Sequence, residues 1–322
     1  MLAVKIHSGT ISCIDTPRPR PRKGFALLRL RLAGICNTDI ELLRGYYGFS
    51  GIPGHEFVAD VVAASNPNLI GKRVVGEINL PCGHCTFCKQ NLGRHCPKRT
   101  VLGIVQHPGA FAEFLTLPEG NLRVVPHSIT DEEAVFTEPI AAACEILDQV
   151  SFPKSATVAV LGDGKLGLLI AQVLHCHGLN IHLYGRNQNK LDTVKTLQIQ
   201  TTKINRTDPR LPPSEYQFIV DATGSPQGFG AALSMIQPRG TIIMKSTVTE
   251  KLIIDSAACI VNEITLVGSR CGRFDPALKL LKAKRLVLEP LISGRSALSM
   301  APQAFDHAQQ HGVLKILLDP KL

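Results

Sequence analysis

Thr157-Val158-Ala159-Val160-Leu161-Gly162-Asp163-Gly164-Lys165-Leu166-Gly167 is the stretch that decides the fold. Its first five residues read as a buried strand, the next six are G-x-G-x-x-G, and the apolar run from Leu166 to His177 reads as a helix. Strand, glycine turn and helix in that order are the context in which this pattern signals a dinucleotide phosphate site; a purely structural glycine turn is the other reading. Gly162 permits the tight turn, Gly164 lets the backbone approach a pyrophosphate, and Gly167 lets the helix pack close to the sheet. The helix N-terminus, with Lys165 and Leu166 in its first turn, faces the phosphates.

Strands and helices alternate outward from this unit. A strand is expected at Asn180 to Tyr184, a helix at Gln188 to Leu197, and strands at Phe218 to Asp221, Thr241 to Met244 and Ile264 to Val267. Such alternation makes a doubly wound parallel sheet. Upstream the texture differs: short strand-like runs (Ala26 to Leu32, Phe57 to Val62, Arg73 to Glu77) are separated by frequent Gly and Pro, as in a small β-barrel or sandwich. The change falls after Glu138-Pro139. The fold class is therefore α/β, with a β-rich domain over 1–139, a dinucleotide-binding domain over 140–270 and a tail over 271–322. The tail should carry a helix at Pro276 to Leu281, a strand near Leu286, and a last helix and strand ending at Ile316-Leu317-Leu318.

The end of the second strand bears on the choice of dinucleotide. An NAD site places an acid there for the ribose 2′-hydroxyl. This chain has Tyr184-Gly185-Arg186-Asn187, in which Gly185 leaves room and Arg186 can pair with a 2′-phosphate. The expectation is NADP over NAD; Arg186 as an ordinary exposed residue is the alternative.

A second motif lies in the β-rich part. Cys82, Cys85, Cys88 and Cys96 follow C-x2-C-x2-C-x7-C, which gathers four thiolates in one short loop and suits a closed structural zinc site. Paired disulfides are the competing reading, disfavoured because adjacent C-x-x-C pairs with no secretory signal point to metal or redox use. The other cysteines, such as Cys13, Cys144, Cys176, Cys259 and Cys271, are scattered singly, which implies a reducing, cytoplasmic setting. At 322 residues the chain exceeds one ordinary core. No apolar run approaches a membrane span. The net charge of +9 raises the question of a nucleic-acid partner. Its basic residues are dispersed, and with no Trp and four Tyr there is little aromatic surface for bases, so phosphate-bearing small molecules are the better match.

Three further segments hold separated metal-type residues: Gly34-Ile35-Cys36-Asn37-Thr38-Asp39, Gly54-His55-Glu56 and Thr137-Glu138-Pro139. Singly, each reads as well as a core cysteine, a satisfied histidine or a helix-start carboxylate. Together with the thiolate loop, the glycine motif and the later Asp221-Ala222-Thr223-Gly224, Pro238-Arg239-Gly240-Thr241 and Gly312-Val313-Leu314-Lys315 segments, they resemble the zinc-dependent medium-chain dehydrogenases, the family of alcohol, polyol, sugar and threonine dehydrogenases. The likeness covers essentially the whole chain.

That resemblance implies a GroES-like catalytic domain, built from the N-terminal part and the tail, around a Rossmann domain. It implies two zinc ions per chain. Cys36 and His55 match ligands of a catalytic zinc, Glu138 falls where polyol dehydrogenases have a glutamate, and Glu56 matches a glutamate that alternates with water. It implies hydride exchange between a nicotinamide cofactor and a small alcohol or its carbonyl, with Thr223 among the cofactor contacts. Thr38 matches the residue that hydrogen-bonds the substrate oxygen, a helix cap being its plain alternative. The relay histidine usual three residues later is replaced by Glu41, so the proton passes either to Glu41 or to water. Between Cys36 and His55 the chain is shorter than the family pattern, with Tyr46, Tyr47 and Phe49 in the shortened loop. A homodimer or homotetramer is also implied. Outside this reading stand a zinc-independent quinone-reductase-like enzyme, a zinc-stapled binding protein without turnover and a nucleic-acid-binding zinc module.

Overall fold

The strand Thr157–Leu161 lies inside a six-stranded parallel sheet, ordered Gln200–Lys203, Asn180–Gly185, Thr157–Leu161, Tyr216–Asp221, Ile236–Met244 and Thr265–Gly268. Numbered along the chain, that is 3-2-1-4-5-6, the doubly wound order whose switch point flanks the first strand. Val158, Ala159, Val160 and Leu161 are all buried, as a strand covered on both faces requires. A computed structural model of the chain describes residues 1–205, 211–246, 252, 254 and 256–322. The chain divides into two units, one of Met1–Glu138, Phe274–Ala283 and Ile292–Leu322, the other of Pro139–Arg273 and Lys284–Leu291.

In the second unit, two local expectations give way. The helix expected from Gln188 to Leu197 stops at Asp192, and a single 3-10 turn follows over Lys195–Leu197. The strand expected near Leu286 is absent, and a strand runs instead over Ile292–Ala297. The backbone around Leu286 bonds to a neighbouring helix rather than to a sheet: Val287 N–H donates to Gln172 Oε1 (2.7 Å) and Cys176 Sγ approaches Arg285 O at 3.5 Å. Both side chains belong to the helix Lys165–Cys176. The edge strand Gln200–Lys203, Gln-Thr-Thr-Lys, has no apolar alternation and gave no signal in the sequence.

The first unit is built on a seven-stranded, mainly antiparallel sheet. Its long strand Phe25–Gly34 pairs with Glu56–Ala63, Phe114–Pro118 and Lys315–Asp319. The register sets Gly34 opposite Glu56 on one side and opposite Leu317 on the other, so Ile35, Glu56 and Lys315 meet at one end of the sheet. The tail thus closes the sheet that the N-terminal strands begin. A small separate sheet, Asn79–Leu80 with Thr100–Leu102 and Gln106–His107, brackets the cysteine loop and fixes where it enters and leaves. Among the described residues no helix is long and apolar enough to cross a membrane.

Candidate metal centres and cofactor cavity

The four cysteines of the loop converge. Cys85 Sγ lies 3.4 Å from Cys88 Sγ and 3.7 Å from Cys96 Sγ, and Cys82 Sγ lies 3.9 Å from Cys88 Sγ. All four are free thiols, which removes the disulfide reading. A tetrahedron with Zn–S bonds of about 2.3 Å has edges of about 3.8 Å, so the cluster fits zinc. Its protons tell the same story. Backbone N–H groups of His84 and Cys85 pull the Cys82 thiol down to about 6, whereas burial pushes Cys88 up to about 12. A cation bound among adjacent sulfurs stabilises them as thiolates. Cys96→Ser should therefore lower the zinc content by one ion per chain and reduce the melting temperature. Elemental analysis and a thermal melt check both, and unchanged zinc would remove Cys96 from the ligand set.

The second cluster is assembled from distant segments. Cys36 stands at the start of the short helix Asn37–Leu43, and His55 and Glu56 begin the strand Glu56–Ala63 and the turn before it. Their ligand atoms lie within 4.8 Å of one another, with His55 and Glu56 buried. Asp39 joins the two segments. Its Oδ2 accepts from Cys36 N (2.8 Å), its Oδ1 accepts from Gly54 N (3.2 Å), and Oδ1 lies 3.3 Å from His55 Nδ1. Gly54 has φ +99, and a Cβ there would meet the Phe111 ring at 2.4 Å, so glycine is required to turn the chain into His55. His55 Nδ1 is buried without a well-aligned hydrogen bond, and an Asp-oriented imidazole leaves Nε2 for a metal. Burial alone lowers the His55 pKa, but Asp39 and Cys36 outweigh it and raise it well above the ordinary histidine value.

Lys315 supplies the one buried ammonium here. Its Nζ pairs with Glu56 Oε2, lies 3.4 Å from Ile35 O, and sits 5.7 Å from the centre of the Phe136 ring. Both partners are 1% exposed. Cys36, His55, Asp39 and Glu56 thus surround a single ammonium, and a thiol, an imidazole and a carboxylate within reach of one another are the donor set of a catalytic zinc. Gly34 touches this arrangement, since a Cβ there would fall 3.0 Å from Glu56 Oε2 and 3.1 Å from Lys315 Cδ. Asp39 and Lys315 are the functional residues that sequence reasoning passed over. Asp39 had a signal in its capping-box spacing from Cys36. Lys315 had none in the local pattern.

Not every expected residue joins the cluster. Glu138 is the second residue of the helix Thr137–Gln149, half-buried and partnered, and lies outside the set that brings Cys36, His55 and Glu56 together. Thr38 sits in the first turn of its helix with no hydrogen bond to Glu41, whose carboxylate accepts from Arg44 Nη1 at 2.9 Å. In the shortened loop, the Tyr46 and Tyr47 rings meet at 42° with centroids 4.2 Å apart, and Tyr47 is largely exposed.

The second unit holds a cavity of about 290 Å³ at the carboxyl ends of its strands. Gly162, Gly164, Gly185, Arg186 and Thr223 line it, together with Asp163. Lys165, Leu166 and Gly167 form the adjoining helical turn and are not among its lining residues. The three glycines differ in what each needs. Gly162 has φ +114 and faces Ala222 O, and Gly167 comes so close to Gly162 O that a Cβ would overlap it. At Gly164 a Cβ would meet nothing within 4 Å, so open space is kept at the helix N-terminus, which fits a pyrophosphate. Thr223 is fixed by Asp221 Oδ1, which accepts from its N–H (2.9 Å) and its hydroxyl (2.7 Å). The Tyr184 wall is held through its hydroxyl, 2.7 Å from Tyr216 Oη, which is 2.6 Å from His182 Nδ1.

Two family profiles match the chain: "Alcohol dehydrogenase GroES-like domain" over residues 22–127 and "Zinc-binding dehydrogenase" over residues 166–283. A D-altritol 5-dehydrogenase of Agrobacterium fabrum is 30% identical over 309 residues, 91% of each chain. The chain belongs to the zinc-type medium-chain dehydrogenases. Solved structures agree in fold. A Sinorhizobium meliloti protein described as a zinc-binding dehydrogenase, bound to NADP, superposes with a TM-score of 0.90 at 24% identity over 99% of both chains. An alcohol dehydrogenase from Escherichia coli CFT073 in complex with NADH gives the same score, identity and coverage. As a medium-chain dehydrogenase, the chain has its GroES-like part in the first unit and its Rossmann sheet in the second.

Proposed function

We propose that the protein is a zinc-dependent oxidoreductase of alcohols, polyols or sugars and their carbonyl counterparts, using a nicotinamide dinucleotide and two zinc ions per chain. The observation that carries this reading is the convergence of Cys36, His55 and Glu56, whose ligand atoms lie within 4.8 Å of one another beside the buried Lys315. A quinone-reductase-like enzyme without zinc has no use for that donor set. The polyol class draws support from the D-altritol 5-dehydrogenase relative, and the cofactor from the glycine-lined cavity and from the NADP and NADH held by the two solved neighbours.

When bound, the zinc supplies Lewis acidity toward the substrate oxygen and the nicotinamide exchanges the hydride. The chain's residues do the rest. Cys36 and His55 serve as fixed ligands, and Asp39 holds the His55 ring in orientation through the contact at Nδ1. Lys315 holds the Glu56 carboxylate in an ion pair beside Cys36 and His55, where it would set how strongly Glu56 engages the metal. Glu138 would be the further carboxylate ligand by its position in the family pattern. The Thr38 hydroxyl hydrogen-bonds the substrate oxygen. Because Arg44 engages Glu41, the proton passes from Thr38 to water rather than to Glu41.

The choice of dinucleotide turns on the end of the strand Asn180–Gly185. Arg186, exposed there, favours NADP, and Asp163 opposes it. The edge strand Thr265–Gly268, near the exposed Ile260 and Val261, supports a homodimer or homotetramer. The free cysteines support a cytoplasmic setting. Elemental analysis should return two zinc ions per chain, and a screen of short alcohols, polyols, sugars and amino alcohols should show dinucleotide reduction. One zinc without turnover would establish the binding-protein reading instead.

A further inference from the structure

We infer that Asp163, from the glycine loop, supplies the ribose-recognising acid that the second strand lacks, and so makes the site selective for NAD over NADP. This rests on the dinucleotide reading of the cavity. Asp163 Oδ2 accepts from the backbone N–H of Arg186 (2.8 Å) and of Asn187 (2.6 Å), the two residues that follow Gly185. The carboxylate is thereby carried across from the glycine loop to the end of the strand Asn180–Gly185. That is the place where an NAD site positions an acid for the adenosine ribose.

Three observations turn the earlier expectation around. The backbone N–H groups that could cradle a 2′-phosphate already have an acceptor. The space that Gly185 leaves is occupied, because a Cβ at Gly185 would lie 2.6 Å from Asp163 Cβ and 2.8 Å from Leu191 Cδ2. Gly185 is thus explained by the approach of Asp163 and not by room for a phosphate. Lastly, both bonds go to Oδ2, which leaves Oδ1 on a cavity-lining residue to accept from a ribose hydroxyl.

The electrostatics favour the same choice. A 2′-phosphate brings roughly −1.5 to −2 charge beside a carboxylate fixed by two hydrogen bonds. Arg186 offers the opposite sign, but its side chain is exposed and forms no ion pair with Asp163 or any other described residue. An exposed guanidinium is screened by solvent, whereas the carboxylate is held in place by two hydrogen bonds.

Calorimetric titration of the zinc-loaded full chain with 5′-AMP, 2′,5′-ADP, NAD and NADP tests this without any turnover. The unphosphorylated member of each pair should bind at least about tenfold tighter. In Asp163→Asn the two N–H groups keep an acceptor while the charge is lost. The preference should then shift toward the phosphorylated ligands by on the order of 100-fold. Arg186→Ala should leave the 5′-AMP preference in place. Tighter binding of 2′,5′-ADP than 5′-AMP by the unmodified protein overturns the assignment, even if the variant fails to fold. So does an unchanged ratio in folded Asp163→Asn. Failure of all four ligands to bind would overturn the dinucleotide reading itself, and this inference with it; preference for the phosphate would overturn this one alone.

Discussion

Cys36→Ser should leave a folded protein with one zinc per chain and dehydrogenase activity lower by roughly 10³-fold or more, since the several kcal/mol supplied by a Lewis-acid metal disappear with it. A serine hydroxyl is a poor zinc ligand beside a thiolate, so the substitution removes one of the three converging donors. The fold should survive. Cys36 is only half-buried, and serine is a favoured residue at a helix start. The four-cysteine site lies in a separate loop and should keep its ion. Metal content per chain, turnover with the best alcohol from the screen, and a thermal melt read the three effects separately. Two zinc ions with undiminished turnover would remove Cys36 from the catalytic set.

Lys315→Met should destabilise the protein by about 3–5 kcal/mol, the usual cost of stranding one partner of a buried ion pair. The two side chains are each 1% exposed, so Glu56 has no water to fall back on. Asp39 lies buried in the same region, so removal of the ammonium relieves no acidic neighbour. Urea unfolding of the zinc-loaded protein measures the effect, and Lys315→Arg should restore part of the loss. An unchanged midpoint for Lys315→Met would mean that the Lys315–Glu56 pair contributes nothing to stability. The same variant frees the Glu56 carboxylate from its ion pair beside Cys36 and His55, so turnover should fall further than the stability change explains.

Much of the architecture was legible before any coordinates. Periodicity and turn residues located Thr157–Leu161, the helix after it and most of the parallel sheet, because buried strands and glycine turns leave strong local patterns. The strand Gln200–Lys203 left none. Its polar residues pair on one edge only and take their conformation from the neighbouring Asn180–Gly185. Around Leu286 the apolar pattern misled, because Gln172 and Cys176 claim that backbone from a distant helix.

The candidate sites divide along the same line. Four cysteines within fifteen residues declare a metal loop by spacing alone, since ligands so close in sequence must be close in space. Cys36 and His55 were named from a family resemblance, not from proximity in the chain. Asp39 and Lys315 escaped notice because a lone carboxylate or ammonium is ordinary in a sequence and becomes exceptional only when buried. The NADP expectation counted Arg186 and Gly185 as neighbours in sequence. It omitted Asp163, which reaches them from a loop twenty-odd residues earlier.

By itself, then, the sequence determined what local patterning controls: the glycine turn, the alternation that makes a doubly wound sheet, the β-rich first part and the thiolate loop. Tertiary structure decided the charge balance. It brought Lys315 against Glu56 through the pairing of the last strand with Phe25–Gly34, and it carried the Asp163 carboxylate to the end of the second Rossmann strand. The physical reason is range. Strand and turn propensities act over a few residues, whereas the effect of a charge depends on its distance in space and on how much water surrounds it.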